Sequence, residues 1–272
     1  MGHPTQSGRA GARGVAETTA LGGERVPPVG ETRAVQEASS DPGDGRAAIA
    51  RAPGGVRTTR RRGRTSAWKE RVLADLGPRW MLPADGPWDP TSLADAFGGP
   101  RPLLVDVGVG DGAATRAWAE GLPDASVLAL ELHRPGLAKL VAALDADGPP
   151  NVRVAEADAL EVLAAMADGS LAGIRALFPD PWPKRRHVAR RLVDRAFAVR
   201  VADLLVPGGT LELATDWADY ADHMRSMVSA EPRLVADHPT SRPARPETTY
   251  ERRGLRAGRT VTDLRWRRAE AD

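Results

Sequence analysis

From Pro100 onward, short apolar runs alternate with longer segments of helical composition. Leu103–Val107 is a continuous apolar run broken only by Asp106, and it ends at Gly108. Val127–Leu132, Val152–Ala155, Ile174–Phe178 and Thr210–Ala214 are the further predicted strands. Ala113–Glu120, Pro135–Leu144, Leu160–Ala167, Arg191–Leu205 and Tyr220–Ser229 are the predicted helices between and after them. Near-continuous apolar runs belong to strands covered on both faces, and strands alternating with helices imply a parallel sheet flanked by helices on both sides. Upstream, Trp68–Leu76 predicts a short helix, and Gly77–Pro90 a turn-rich approach to the main domain. Residues 1–56 lack apolar periodicity and carry Gly, Pro, Ser and charges throughout. They are expected to form a disordered tail, because they cannot bury enough surface to offset ordering entropy. Residues 57–272 are then one domain with a basic N-terminal segment.

Composition narrows the class. The 272 residues are 42% hydrophobic and 27% charged, ordinary for a globular protein. No run approaches the ~18 apolar residues that a membrane span needs, and Met1–Gly14 lacks the apolar core of a secretory signal. The absence of cysteine excludes disulfides, thiolate nucleophiles and cysteine zinc sites. No metal and no membrane partner are expected, and a cytoplasmic location fits. The formal net charge is only +2, but its distribution is uneven. Arg57–Arg71 holds seven Lys or Arg and one acid, Lys184–Arg191 five and none, and Arg242–Arg268 nine Arg against three acids. Each stretch alone reads equally well as a solvated face; converging, they would bind a polyanion.

Asp106-Val-Gly-Val-Gly-Asp-Gly112 follows the first strand and opens the first helix, where glycines allow a tight turn and close approach to a ligand. Dinucleotide-binding proteins use a similar loop. Two further acids narrow the choice. Glu131 ends the second strand, where a carboxylate can accept from both hydroxyls of an adenosine ribose, and Asp158 follows the third, where an acid can meet the adenine amino group. Asp106 sits where it could contact the ligand's amino-acid end, directly or through water. All three lie at the carboxyl ends of neighbouring strands, where open α/β sheets bind ligands. The spacing Gly108-x-Gly110-x-Gly112, with acids at Asp106 and Asp111, departs from the Gly-x-Gly-x-x-Gly of diphosphate sites. Its charge repels a pyrophosphate and suits a cationic sulfonium, so S-adenosylmethionine is preferred over a nicotinamide dinucleotide.

After the fourth strand comes Phe178-Pro-Asp-Pro-Trp-Pro-Lys-Arg-Arg-His187. Its core, Asp180-Pro-Trp-Pro, resembles the Asp/Asn-Pro-Pro-aromatic loop of methyltransferases that modify planar nitrogen groups. The prolines stiffen it. Asp180 can accept from the N1 and N2 edge of guanine, and Trp182 can stack on the base; a turn residue and a core tryptophan are the structural alternatives. Phe178–Arg191, followed by Pro207-Gly-Gly209, Ala214-Thr-Asp-Trp-Ala-Asp-Tyr220, Arg245-Pro-Glu-Thr-Thr-Tyr-Glu-Arg-Arg-Gly254, Gly258 and Val261-x-Asp-Leu264, resembles the bacterial tRNA (guanine-N7)-methyltransferase family. The likeness covers roughly Arg57–Arg268.

That resemblance implies a Rossmann-like class I methyltransferase fold, with a mostly parallel seven-stranded sheet and helices on both faces. It implies S-adenosylmethionine as donor and the tRNA variable-loop guanine, position 46, as acceptor, with no DNA partner; the state is monomer or homodimer. Asp106, Glu131, Asp158 and Asp180 match its donor-binding positions, beside Gly108 and Gly110, and Asp180 matches the proposed catalytic position. Lys184, Asp216, Thr248, Thr249, Tyr250 and Glu251 match its substrate-binding positions. Asp216 reads equally well as a helix N-cap, Glu251 as part of a surface ion-pair stretch, and His187 better as a structural residue than as a base. The chain departs from the family pattern at Asp106, where Glu is usual, at Ala189, where a basic residue is usual, and at Tyr250, where Phe is usual.

Overall fold

The computed structural model describes residues 66–237 and 245–270. The expected tail over residues 1–56, and residues 57–65 of the first basic stretch, lie outside the described residues. The chain runs through α1 (Ala67–Trp80), β1 (Met81–Leu82), α2 (Pro90–Ala96), β2 (Leu103–Val107), α3 (Ala113–Glu120) and β3 (Ser126–Leu130). It continues through α4 (Arg134–Asp147), β4 (Val152–Ala155), α5 (Ala159–Ala165), β5 (Leu171–Leu177) and a 3-10 helix (Arg185–Arg190). The last elements are α6 (Arg195–Leu204), β6 (Leu205–Thr215), α7 (Ala218–Ser229), β7 (Leu234–Ala236), α8 (Thr249–Arg256) and β8 (Thr262–Arg268).

The eight strands form one sheet in the order β1-β4-β3-β2-β5-β6-β8-β7. Pairing is parallel from β1 to β6, and β8 runs antiparallel to both neighbours. The expected seven strands are present, with the two-residue β1 added beside β4. In β2 and β3 every residue is buried, which is why both read as apolar runs with one polar residue each, Asp106 and Ser126. Their side chains nonetheless alternate between two cores. Leu103, Val105, Val107, Leu128 and Leu130 join one, with Phe197, Tyr220 and Trp266. Leu104, Val127 and Ala129 join the other, with Leu137, Leu140 and Trp80.

Several elements differ from expectation. Helix α1 runs through Gly77 and Pro78 to Trp80, because Leu73, Gly77 and Trp80 bury one face and the Trp80 indole donates to Asp145 at 3.1 Å. Packing here overrides the breakers. Pro207-Gly208-Gly209 lies inside β6, in a register break where Leu205 pairs with Leu171 but Thr210 with Gly173. Helices α2 and α8 and strands β7 and β8 were not in the apolar pattern. Strand β8 reads Thr-Asp-Leu-Arg-Trp-Arg-Arg and buries only Trp266, so its pairing rather than its hydrophobicity makes it a strand.

Candidate functional site

The turn between β2 and α3 carries the backbone where side chains cannot go. Gly112 has φ +78°, and a Cβ there would lie 2.3 Å from Leu140 Cδ1. Across from it, a Cβ on Gly136 would lie 2.2 Å from the carbonyl oxygen of Gly110, so the turn and the first turn of α4 meet backbone to backbone. Glu131, just beyond β3, pins the turn. One carboxylate oxygen accepts from the Gly110 amide at 2.8 Å, and the other from the amides of Leu132 and His133, both at 2.8 Å. The Gly110 N–H therefore points at a carboxylate and not outward, as a diphosphate cradle would require.

Asp106, expected at the donor's amino-acid end, is engaged within the sheet. Its carboxylate is buried and accepts from the Thr115 hydroxyl at 2.8 Å and from Arg175 Nη2 at 2.5 Å and Nε at 3.2 Å. Asp106 and Arg175 are register partners across β2 and β5, and the guanidinium stands 4.1 Å from the Trp118 ring centroid. Any contact with a ligand's amino-acid end would have to share a carboxylate already engaged by three donors. Arg175 escaped the sequence reading, although one charge inside an apolar central strand signals a buried counter-charge.

Glu131, Asp158, Asp180 and Trp182 line one cavity of about 330 Å³, with Leu130 and Leu160 on its apolar side. Asp158 also caps α5, accepting from Leu160 N at 2.9 Å. The acceptor turn is held in an unusual backbone state: Phe178 and Trp182, each followed by proline, have φ +54° and +42°. Left-handed backbone at a bulky residue costs about 1–3 kcal/mol and persists only where its surroundings impose it. Here Phe178 N donates to Ala214 O at 2.8 Å and Arg191 Nε donates to Pro181 O at 2.9 Å. Arg191 is itself buried and paired with Asp219, so it braces the turn instead of facing RNA. The Trp182 ring packs edge-on to His187, with centroids 5.7 Å apart, and carries Arg190 at 5.0 Å. Partial burial first, then the charges of Arg190, Arg186 and Lys184, hold the His187 imidazole below its ordinary pKa.

Thr248-Thr-Tyr-Glu251 begins α8 as a helix cap. Thr248 Oγ1 accepts from Glu251 N at 3.1 Å, the Thr-x-x-Glu pattern that signals a helix start in sequence. Thr249 donates to Asp111 at 3.0 Å, tying α8 to the Gly-rich turn. Tyr250, 43% exposed, lines both the 330 Å³ cavity and a second one of about 420 Å³.

Glu251, expected either at the pocket or in an ion-pair stretch, is engaged here in a buried ion pair. It is 1% exposed and pairs with Arg245 Nη1 at 2.5 Å. Arg245 also holds Asp263 at 2.8 Å and lies 5.4 Å from the Phe178 ring. Burial works against the Arg245 charge, but Asp263 and Glu251 outweigh it and raise its pKa. Asp216 likewise lines neither cavity. It accepts from Arg259 at 2.8 Å, while Trp217 and not Asp216 is the N-cap of α7. Lys184 is exposed at the start of the 3-10 helix and lines neither cavity.

The fold thus gathers Gly108, Glu131, Asp158, Asp180 and Tyr250 at one cavity, and Asp106, Gly110, Thr248 and Thr249 with Tyr250 and Gly108 at its neighbour. Lys69 and Arg253 were counted only within basic stretches, and His133 and Lys139, which carry no motif, were missed. The 330 Å³ cavity suits an adenosine-bearing cation, with two carboxylates for hydroxyl and amino donors and an apolar side for a flat ring. Among the described residues no group of three or more His, Asp or Glu side chains is placed to hold a metal, and no helix is long and apolar enough to cross a membrane.

Comparison with known proteins agrees with this geometry. A family model described as "Putative methyltransferase" matches residues 100–264. The chain is 44% identical over 216 residues to the tRNA (guanine-N(7)-)-methyltransferase of Alkalilimnicola ehrlichii, covering 78% of this chain and 91% of that protein. It is 42% identical to the Nocardioides sp. protein of the same name, covering 78% and 87%, and 40% identical to that of Streptomyces coelicolor, covering 77% and 79%. The chain belongs to the tRNA (guanine-N(7)-)-methyltransferase family.

Proposed function

We propose that this protein transfers a methyl group from S-adenosylmethionine to N7 of a guanine in tRNA, and that the guanine is the one at position 46 of the variable loop. Glu131, Asp158, Asp180 and Trp182 lining one cavity of about 330 Å³ is the observation that carries this proposal. Residues 57–272 act as one catalytic domain.

The donor, when bound, supplies a methyl group on a positively charged sulfur. Glu131 and Asp158 would hold its ribose and adenine, with Leu160 on the apolar side. Guanine N7 carries a lone pair and no proton, so no residue has to act as a general base. What the protein supplies is alignment, a proximity effect of up to about 7–11 kcal/mol in favourable cases. Asp180 orients the N1 and N2 edge of the base and offsets the positive charge that develops on the imidazole ring. Trp182, fixed by its left-handed backbone, offers a ring for stacking. Lys184, with the exposed Arg185 and Arg186, meets phosphate. Asp216 and Glu251 act one step back, anchoring the C-terminal segment through Arg259 and Arg245.

The test is incubation of the full chain with labelled donor and a tRNA transcript, alongside a transcript whose variable-loop guanine is replaced by adenine. Label should appear as N7-methylguanine in the first and not in the second. Equal labelling of both transcripts, or methyl on another atom, overturns the proposal. Asp180→Asn should lose activity without changing the shape of the pH–rate profile; a rate that tracked titration at that position would refute the alignment role.

A further inference from the structure

The 420 Å³ cavity beside the Gly-rich turn takes in the donor positions Asp106, Gly108 and Gly110 and the substrate positions Thr248, Thr249 and Tyr250, but the reaction above gives its cations no role. Its wall carries Lys69 from α1, Lys139 from α4 and Arg253 from α8, cations delivered by three separate elements. Among the described residues none of the three forms a carboxylate ion pair, whereas their neighbours do: Arg134 pairs with Glu70 and Glu156, and Arg252 with Glu247. Two acids also line the cavity. Asp106 is neutralised by Arg175, and Asp111 accepts from Thr249. The wall is left with a surplus of positive charge. Arg253 and Tyr250 belong to both cavities, so an anion seated here adjoins whatever fills the other.

We infer that this cavity seats a backbone phosphate of the tRNA next to the methylated guanine, held by Lys69, Lys139 and Arg253. The inference rests on the tRNA reading above and deepens it. Uncompensated cations in an open concavity bind phosphate through released counterions, and a phosphate fixed beside the acceptor base sets its register without reading sequence. The donor's own carboxylate is the other anion of matching chemistry, and the experiment separates the two.

K69Q, K139Q and the double variant of the full chain are compared with the unaltered protein for tRNA transcript binding across a potassium chloride series, and for S-adenosylmethionine binding by calorimetry. R225Q, on the exposed face of α7 and lining neither cavity, is the charge control. Each cavity variant should flatten the slope of log affinity against log salt by about 0.7–0.9. Each should also weaken tRNA binding at low salt several-fold, with the donor affinity within two-fold of the unaltered protein. An unchanged slope, an equal effect of R225Q, or a donor affinity that falls in step with that for tRNA overturns the phosphate seat. Failure of the unaltered protein to methylate tRNA would instead overturn the reaction itself, so the two failures are distinct.

Discussion

Replacing Arg175 by methionine tests how the sheet holds the Gly-rich turn. The Arg175 and Asp106 side chains are 3% and 4% exposed, and they pair at 2.5 Å. In Arg175→Met the Asp106 carboxylate would keep only the Thr115 hydroxyl, a charge without a counter-charge in the centre of the sheet. Breaking one side of such a pair costs about 3–5 kcal/mol, against a total stability of about 5–15 kcal/mol for a domain. Methionine retains an apolar stem beside Trp118, so lost packing adds little. Adding Asp106→Asn should restore about 1–3 kcal/mol, because a neutral amide beside Thr115 removes the stranded charge. Urea unfolding followed by tryptophan fluorescence measures Arg175→Met, Asp106→Asn and the double variant. If Arg175→Met costs less than about 1 kcal/mol, the pair is not the buried unit described here. If the double variant loses the sum of the single losses, the two residues do not act together. Calorimetry on the double variant, refolded and compact, then asks whether Asp106 touches the donor. Affinity within three-fold means that it acts through the turn; a hundred-fold loss means direct contact.

Three further outcomes are expected. Trp182→Gly relieves the φ +42° backbone, so stability should change by no more than about 1–2 kcal/mol, while kcat/KM falls about ten- to hundred-fold through lost stacking; equal damage to both would contradict the assigned role. Gly112→Ala, placing a methyl 2.3 Å from Leu140 Cδ1 at φ +78°, should destabilise by about 2–4 kcal/mol in thermal or urea unfolding, and a neutral result would mean that the turn relaxes freely. The His187 imidazole, with its pKa lowered in the folded state, contributes stability that is present above the unfolded value and is lost as pH falls through the folded one. Proton NMR of the imidazole should show a midpoint below about 6.5, and Arg190→Gln should raise it; no upward movement would refute the electrostatic cause.

Much of the fold was legible because β2 and β3 are buried on both faces and contain almost nothing polar. The Gly-rich turn and the Asp180–Trp182 turn were legible for a local reason as well: glycine and proline spacing constrains the backbone wherever it occurs. What escaped was set by long-range partners. Strand β8 is arginine-rich and pairs because β6 and β7 flank it. Helix α1 ignores Gly77 and Pro78 because Trp80 is anchored on α4 through Asp145. Helix α8 did carry a local signal, the Thr248-x-x-Glu251 cap, hidden by its resemblance to a substrate-binding motif.

The basic stretches show most clearly why charge counting in sequence overstates a binding surface. Arg242–Arg268 holds nine arginines, yet Arg245, Arg252, Arg259, Arg265 and Arg267 are each paired with a carboxylate of the same chain. Arg191, at the end of the second stretch, is buried under the acceptor turn. A cation already matched by a nearby acid releases few counterions on meeting RNA and carries little of the salt-dependent affinity. The charges left for RNA among the described residues are fewer; they include Lys184, Arg185 and Arg186 beside the acceptor turn and Lys69, Lys139 and Arg253 around the second cavity, and of these only Lys139 lies outside the three basic stretches. Lys139 stands on a helix that no basic stretch marks, and only the packing of α1 against α4 brings it together with Lys69. If removing Arg259 or Arg265 flattened the salt dependence as much as removing Lys139, the internal pairs would be opening to meet RNA, and this division of the cations would fail.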